Sequence, residues 1–132
     1  YMPDAKYGRD DVAWELSHTA NYVERMQMAL REMHRQVGDL TVRDGIAVRG
    51  MIIRHLVLPG NLANSEIVMK FIADEISRDF YVNVMAQYHP AWRAVEGGRS
   101  PVLAALQRPV TAREYGYAIR CAEENGLSRG FP

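Results

Sequence analysis

Met51-Ile52-Ile53-Arg54-His55-Leu56-Val57-Leu58-Pro59-Gly60 sets two ionisable side chains inside an apolar run that stops at Pro-Gly. Strands this apolar are ordinarily covered on both faces, as in parallel sheets. Asn64 or Ser65 then offers an N-cap, and Ile67, Val68, Phe71, Ile72 and Ile76 recur at helical spacing as far as about Ser77. The run therefore reads as the strand of a βα unit over about residues 50–58, and ligands of α/β proteins sit at that end of a strand.

Upstream, Tyr22, Val23, Met26, Ala29, Leu30, Met33 and Val37 share one face at a 3.6-residue period, which predicts an amphipathic helix stopped by Gly38. Asp10 and Asp11 can cap a helical turn. Leu40-Thr41-Val42 and Ile46-Ala47-Val48 flank Arg43-Asp44-Gly45, a hairpin signal. Tyr1-Met2-Pro3-Asp4-Ala5-Lys6-Tyr7-Gly8 reads as the tail of a strand, and the expectation is a fragment of a longer chain. Downstream, residues 80–86 are β-branched and aromatic and predict another strand. Gly97, Gly98, Pro101 and Pro109 then break the pattern into a long loop, with one helical turn around Val102 to Leu106. Thr111-Ala112-Arg113-Glu114 is a capping box opening a helix to Gly126, and Leu127 to Pro132 reads as a surface tail. Strands alternating with helices mean a single α/β domain over residues 1–132 with parallel strands, right-handed crossovers and a small β-hairpin insertion. About three strands are few for such a sheet, so an open edge is expected, closed by a missing half or by a second copy in a homodimer.

Composition narrows the functional classes. Apolar residues make up 48% of the 132, enough for one core. Net charge is zero, and of sixteen basic residues only Lys6 and Lys70 are not Arg. The arginines are mixed with acids (Glu24, Arg25, Arg31, Glu32, Arg35) as on a solvated helix face, which argues against nucleic acid as a partner. No segment approaches the roughly 18 uninterrupted apolar residues of a membrane span, and no signal-peptide pattern opens the chain, so a cytoplasmic location is expected. Cys121, without a second cysteine, makes no intrachain disulfide or cysteine-based metal site and reads as a small core residue. No metal-ligand spacing or phosphate-binding glycine motif is present.

Parallel strands end on one side, so residues at those ends gather at one mouth. Here they are Asp4 and Lys6, then Arg54 and His55, then Asn83, Gln87, Tyr88 and His89. An acid, two cations and an imidazole suit a zwitterionic or ribose-bearing small ligand, Asp4 for hydroxyls or ammonium and Arg54 or Lys6 for carboxylate. Arg54 in an apolar strand requires an anion, from Asp4 or from a ligand, because an unpaired buried cation costs several kcal/mol. Strand alternation directs His55 the other way, toward a helix layer, as a hydrogen-bonded core residue. His89, before Pro90, stands at a strand-to-loop junction where a surface role and a functional one are both open; His18 and His34 belong to helix surfaces or packing.

The order Pro3-Asp4-Ala5-Lys6-Tyr7, then Ile53-Arg54-His55-Leu56-Val57-Leu58-Pro59-Gly60, then Met85-Ala86-Gln87-Tyr88-His89-Pro90 resembles the C-terminal half of radical S-adenosylmethionine proteins related to pyruvate formate-lyase activating enzyme and its iron-sulfur relatives. The resemblance implies half of a partial (β/α)6 TIM-like barrel, a [4Fe-4S] cluster, and reductive cleavage of S-adenosylmethionine to a 5′-deoxyadenosyl radical that abstracts a hydrogen atom. In activating enzymes the target is a glycine of a partner glycyl-radical enzyme. It further implies that Asp4 and Lys6 lie near the ribose and carboxylate of S-adenosylmethionine, that Arg54 faces the same cofactor, and that His89 matches a histidine at the end of the last strand. The family's Cys-x-x-x-Cys-x-x-Cys and its glycine-rich strand are absent, so the expectation is a chain not competent alone, whose N-terminal half carried the cluster. Two other classes fit the same residues: a non-catalytic α/β binding or interaction module, and a small-molecule enzyme using Asp4, Lys6 and His89 as acid and base.

Overall fold

The computed structural model describes residues 1–96 and 100–131; the breakers Gly97 and Gly98 lie outside them. The chain runs α1 (Asp10–Ser17), α2 (Tyr22–Val37), β1 (Thr41–Arg43), β2 (Ile46–Arg49), β3 (Ile52–Leu56), α3 (Ser65–Phe71), β4 (Tyr81–Met85), α4 (Arg93–Glu96), α5 (Pro101–Ala105) and α6 (Ala112–Glu124). Two two-stranded sheets result, the antiparallel hairpin β1–β2 and the parallel pair β3–β4. The α/β class and the hairpin insertion are as expected; the described residues form no closed barrel.

Around the parallel pair the sheet is wider than its two named strands. The opening segment lies parallel to β3, with Asp4 bridging Arg54, the Ala5 N–H donating to the Arg54 carbonyl (2.9 Å) and the Arg54 N–H to the Pro3 carbonyl (2.9 Å). On the far side the Val82 N–H donates to the Arg129 carbonyl (3.0 Å), a parallel bridge of Tyr81 with Arg129. This corrects the reading of the tail as surface. Leu127 is 1% exposed in the core, and the Arg129 guanidinium donates to the carbonyls of Asp79 and Leu40.

Alternation decides what each face of the sheet meets. Ile53, His55 and Val57 of the β3 run and Val82 and Val84 of β4 are buried, packed with Met26 and Leu30 of α2, Val68 and Met69 of α3, and Ala118, Cys121 and Ala122 of α6. Ile52, Arg54, Leu56, Tyr81, Asn83 and Met85 point to the other face and are only half-buried. Helices thus cover one face and leave the charged one open.

Local chemistry explains most boundaries. Asp44 (φ 52°) and Gly45 (φ 77°) take the two left-handed positions of the hairpin turn. Thr111 Oγ1 accepts from the Glu114 N–H while the Glu114 carboxylate accepts from the Thr111 N–H, the expected capping box. Asn64, one of the two expected candidates, takes the N-cap position of α3 in a left-handed conformation, without a capping hydrogen bond from its side chain, and the helical run ends in a π turn over Ile72–Ile76. Arg9 takes the N-cap position of α1, so Asp10 and Asp11 lie in the first turn of a full helix and do not cap it, and the expected long loop holds the short helices α4 and α5. Among the described residues no helix is long and apolar enough to cross a membrane.

Candidate functional site

Two side chains fifty residues apart meet on the open face of the sheet, midway along β3. Arg54 Nε donates to Asp4 Oδ1 at 2.7 Å, and Lys6 Nζ stands 3.6 Å from Asp4 Oδ2. The pairing follows from the parallel bridge, which sets Asp4 beside Arg54 on one face, and from the two-residue period that puts Lys6 on the same face. The anion that Arg54 required is therefore within the chain. Both partners keep about a third of their side-chain surface in solvent (37% and 31%), so neither bears the penalty of a fully buried ion. Only Nε of the guanidinium is engaged; its terminal nitrogens have no hydrogen-bond partner among the described residues.

These residues line a cavity of about 380 Å³ together with Leu56, Met85, Gln87, Tyr88 and His89. Asp4, Lys6, Arg54 and His89 are thus brought together at one mouth, as are Gln87 and Tyr88. Asn83 pairs in register with Arg54 but does not line the cavity, and His55 is turned away from it. One carboxylate between two cations leaves the mouth with an excess positive charge beside a neutral amide and an exposed imidazole. Such a set can receive a carboxylate through Arg54 or Lys6, and an ammonium or a pair of hydroxyls through Asp4.

His55 is fully buried. Nδ1 lies 2.8 Å from the Ala5 carbonyl oxygen and Nε2 lies 2.9 Å from Ser65 Oγ. The carbonyl can only accept, so Nδ1 carries the proton and Nε2 accepts from the serine hydroxyl. Burial lowers its pKa from the ordinary imidazole value, opposed by the Ala5 hydrogen bond and the charge of Glu66. It locks the opening segment, β3 and the start of α3 together.

The turn after β3 is held from outside the sheet. Glu114 of α6 accepts from the Gly60 N–H (2.7 Å) and from both terminal nitrogens of Arg108 (2.8 and 2.7 Å). Arg108 foremost, with Thr111 and Gly60, keeps that carboxyl well below the usual carboxylate range. Pro59-Gly60 is thereby fixed to the capping box of α6, a link that neither motif announces by itself.

A larger cavity, about 600 Å³, adjoins the mouth and shares Lys6, Leu56 and Tyr88 with it. Its walls come from α1, β3, α4 and α5, and His18 stands at its rim. Sequence reasoning missed it because its leucines and tyrosines are scattered along the chain and each reads as ordinary core. Cys121 is where it was expected, 4% exposed in the core, with its thiol pKa raised by burial. Among the described residues no group of three His, Cys, Asp or Glu could hold a metal ion.

Fold and site together define an α/β chain with a charged mouth at the ends of its parallel strands. It is 30% identical over 128 residues to the protein named Uncharacterized protein MJ0674 of Methanocaldococcus jannaschii, an alignment covering 96% of this chain and 32% of that protein. The chain thus spans about a third of the length of the curated relative it matches. No family model matches the chain, and no solved structure does.

Proposed function

We propose that this chain is the cofactor-facing C-terminal part of a cytoplasmic radical S-adenosylmethionine enzyme of the pyruvate formate-lyase activating type. Its sheet would form half of a (β/α)6 barrel, completed by another segment of a longer protein. The observation that carries the reading is the convergence of Asp4, Lys6, Arg54 and His89, from three separate strand ends, on one cavity. The same four positions are those that the resemblance assigns to the cofactor. The relative's threefold greater length also supports a longer parent protein.

The donor set fits S-adenosylmethionine. Arg54, whose terminal nitrogens have no partner among the described residues, and Lys6 would take the methionyl carboxylate; Asp4 would take ribose hydroxyls or the ammonium; His89 would border the mouth. When bound and cleaved reductively in the whole enzyme, that cofactor supplies the 5′-deoxyadenosyl radical that removes a hydrogen atom from the target. A glycine of a partner glycyl-radical enzyme is the target that the resemblance implies. The iron-sulfur cluster does not fit this chain, whose one cysteine is buried in α6.

Calorimetric titration with S-adenosylmethionine tests the mouth. Saturable binding is expected, weakened at least tenfold, about 1.4 kcal/mol, by Arg54→Ala. Absence of binding, or an unchanged affinity in Arg54→Ala, would overturn the reading in favour of a non-catalytic α/β binding module.

A further inference from the structure

The larger cavity has a chemistry of its own. Its wall is formed by Leu16, Leu56, Leu58, Leu103 and Leu106 with the rings of Tyr7 and Tyr88. The hydroxyls on that wall are already hydrogen-bonded within the chain, and the exposed indole of Trp92 completes the lining. Tyr7 Oη and Ser17 Oγ are hydrogen-bonded at 2.9 Å, and the Tyr88 hydroxyl donates to the Leu106 carbonyl at 2.8 Å. A sugar or nucleotide seated against this wall would set its hydroxyls on apolar surface without partners there, which disfavours it. Lys6, Glu15 and His18 of the lining contribute from exposed positions and so can meet only a polar end. The space, about 600 Å³, lies in the range of small-molecule sites. It opens toward the charged mouth across Leu56 and Tyr88, which line both cavities.

We infer that this cavity binds the apolar body of a second small molecule, an aromatic or branched aliphatic compound, held beside whatever occupies the Asp4–Arg54 mouth. That the molecule lies beside S-adenosylmethionine rests on the function proposed above; the preference for an apolar body rests on the cavity alone.

Indole serves as an apolar probe and D-ribose as a polar one, followed through the methyl resonances of the leucines in the chain. Indole is expected to shift Leu16, Leu103 and Leu106 saturably, and ribose to leave them unmoved. Leu103→Trp and, independently, Leu16→Trp fill the space from α5 and from α1, and either folded variant is expected to weaken indole at least tenfold. Both should leave the affinity for S-adenosylmethionine within about twofold. Equal response to ribose, no indole shift in these methyls, or full indole affinity in both folded variants would overturn the inference. Indole binding without S-adenosylmethionine binding would remove the mouth assignment and uphold the cavity.

Discussion

Arg54 and His55 are neighbours in sequence with opposite fates, and the pleat of one strand decides both. The sequence exposes Arg54 as a charge in an apolar run, and desolvation demands a counter-ion, so Asp4 was legible before any coordinates. The partner of His55 was not, because nothing local marks Ser65 as aimed at a ring ten residues away. His55 also sets a pH dependence. Burial lowers its folded pKa, so at pH below the unfolded value of about 6.5 the unfolded chain binds a proton that the folded chain does not. Its contribution is therefore complete above pH 6.5 and is lost as pH falls toward the depressed folded value, with a limiting slope of about 1.4 kcal/mol per pH unit. The carboxyls with lowered pKa titrate beneath this window; Glu32, for one, is held by Arg35 at about 2. Denaturant unfolding between pH 7 and 5 should show the loss, and His55→Phe should abolish it. The same change leaves the Ala5 carbonyl and the Ser65 hydroxyl unpaired, so it should lower stability at pH 7 by about 1–3 kcal/mol. An unchanged slope in the variant would mean that another group governs that pH range.

Elements with a strong local signal were the legible ones. The Asp-Gly turn, the 3.6 period of α2 and the capping box of α6 each carry their own stereochemical reason, and each stands where its residues said. The tail did not, since Ser128-Arg129-Gly130 has neither period nor β-propensity; it is extended because Arg129 finds the free edge of β4. Gly130 makes that approach possible. At φ 101°, a Cβ there would collide with the Val82 carbonyl oxygen and lie 2.8 Å from the Tyr81 ring. Gly45 of the hairpin shares the positive φ (77°) but has open space around it. Comparing alanine at the two sites separates backbone strain from steric exclusion. Gly45→Ala should cost about 1 kcal/mol from conformation alone, whereas Gly130→Ala should cost about 2–4 kcal/mol and detach the tail from β4. Thermal unfolding reads both. Equal losses would show that the tail does not depend on the close approach.

At the scale of the molecule, the sheet is finished on one face and unfinished on the other. Parallel sheets are normally covered on both sides, yet the face carrying Ile52, Arg54, Leu56, Asn83 and Met85 stays half-open, and its residues are those that would line a barrel lumen under the proposed function. That much was readable from the small number of strands; the apolar cavity was not, because it exists only once α1, α4 and α5 have packed. The outer edge is unfinished as well. The opening segment turns the carbonyls of Tyr1 and Pro3 and the N–H of Ala5 toward β3, so strand alternation turns the N–H of Asp4 outward, where no partner meets it among the described residues. Hydrogen exchange resolves this edge residue by residue. In the isolated chain the Asp4 amide should exchange on the order of a hundredfold faster than the amides of Ala5 and Arg54, which are closed by the sheet. In a longer parent protein a neighbouring strand would slow Asp4 to match them. Slow exchange of Asp4 in the chain alone, lengthening with protein concentration, would mean instead that a second copy already closes the edge, and the half-barrel reading would give way to a homodimer.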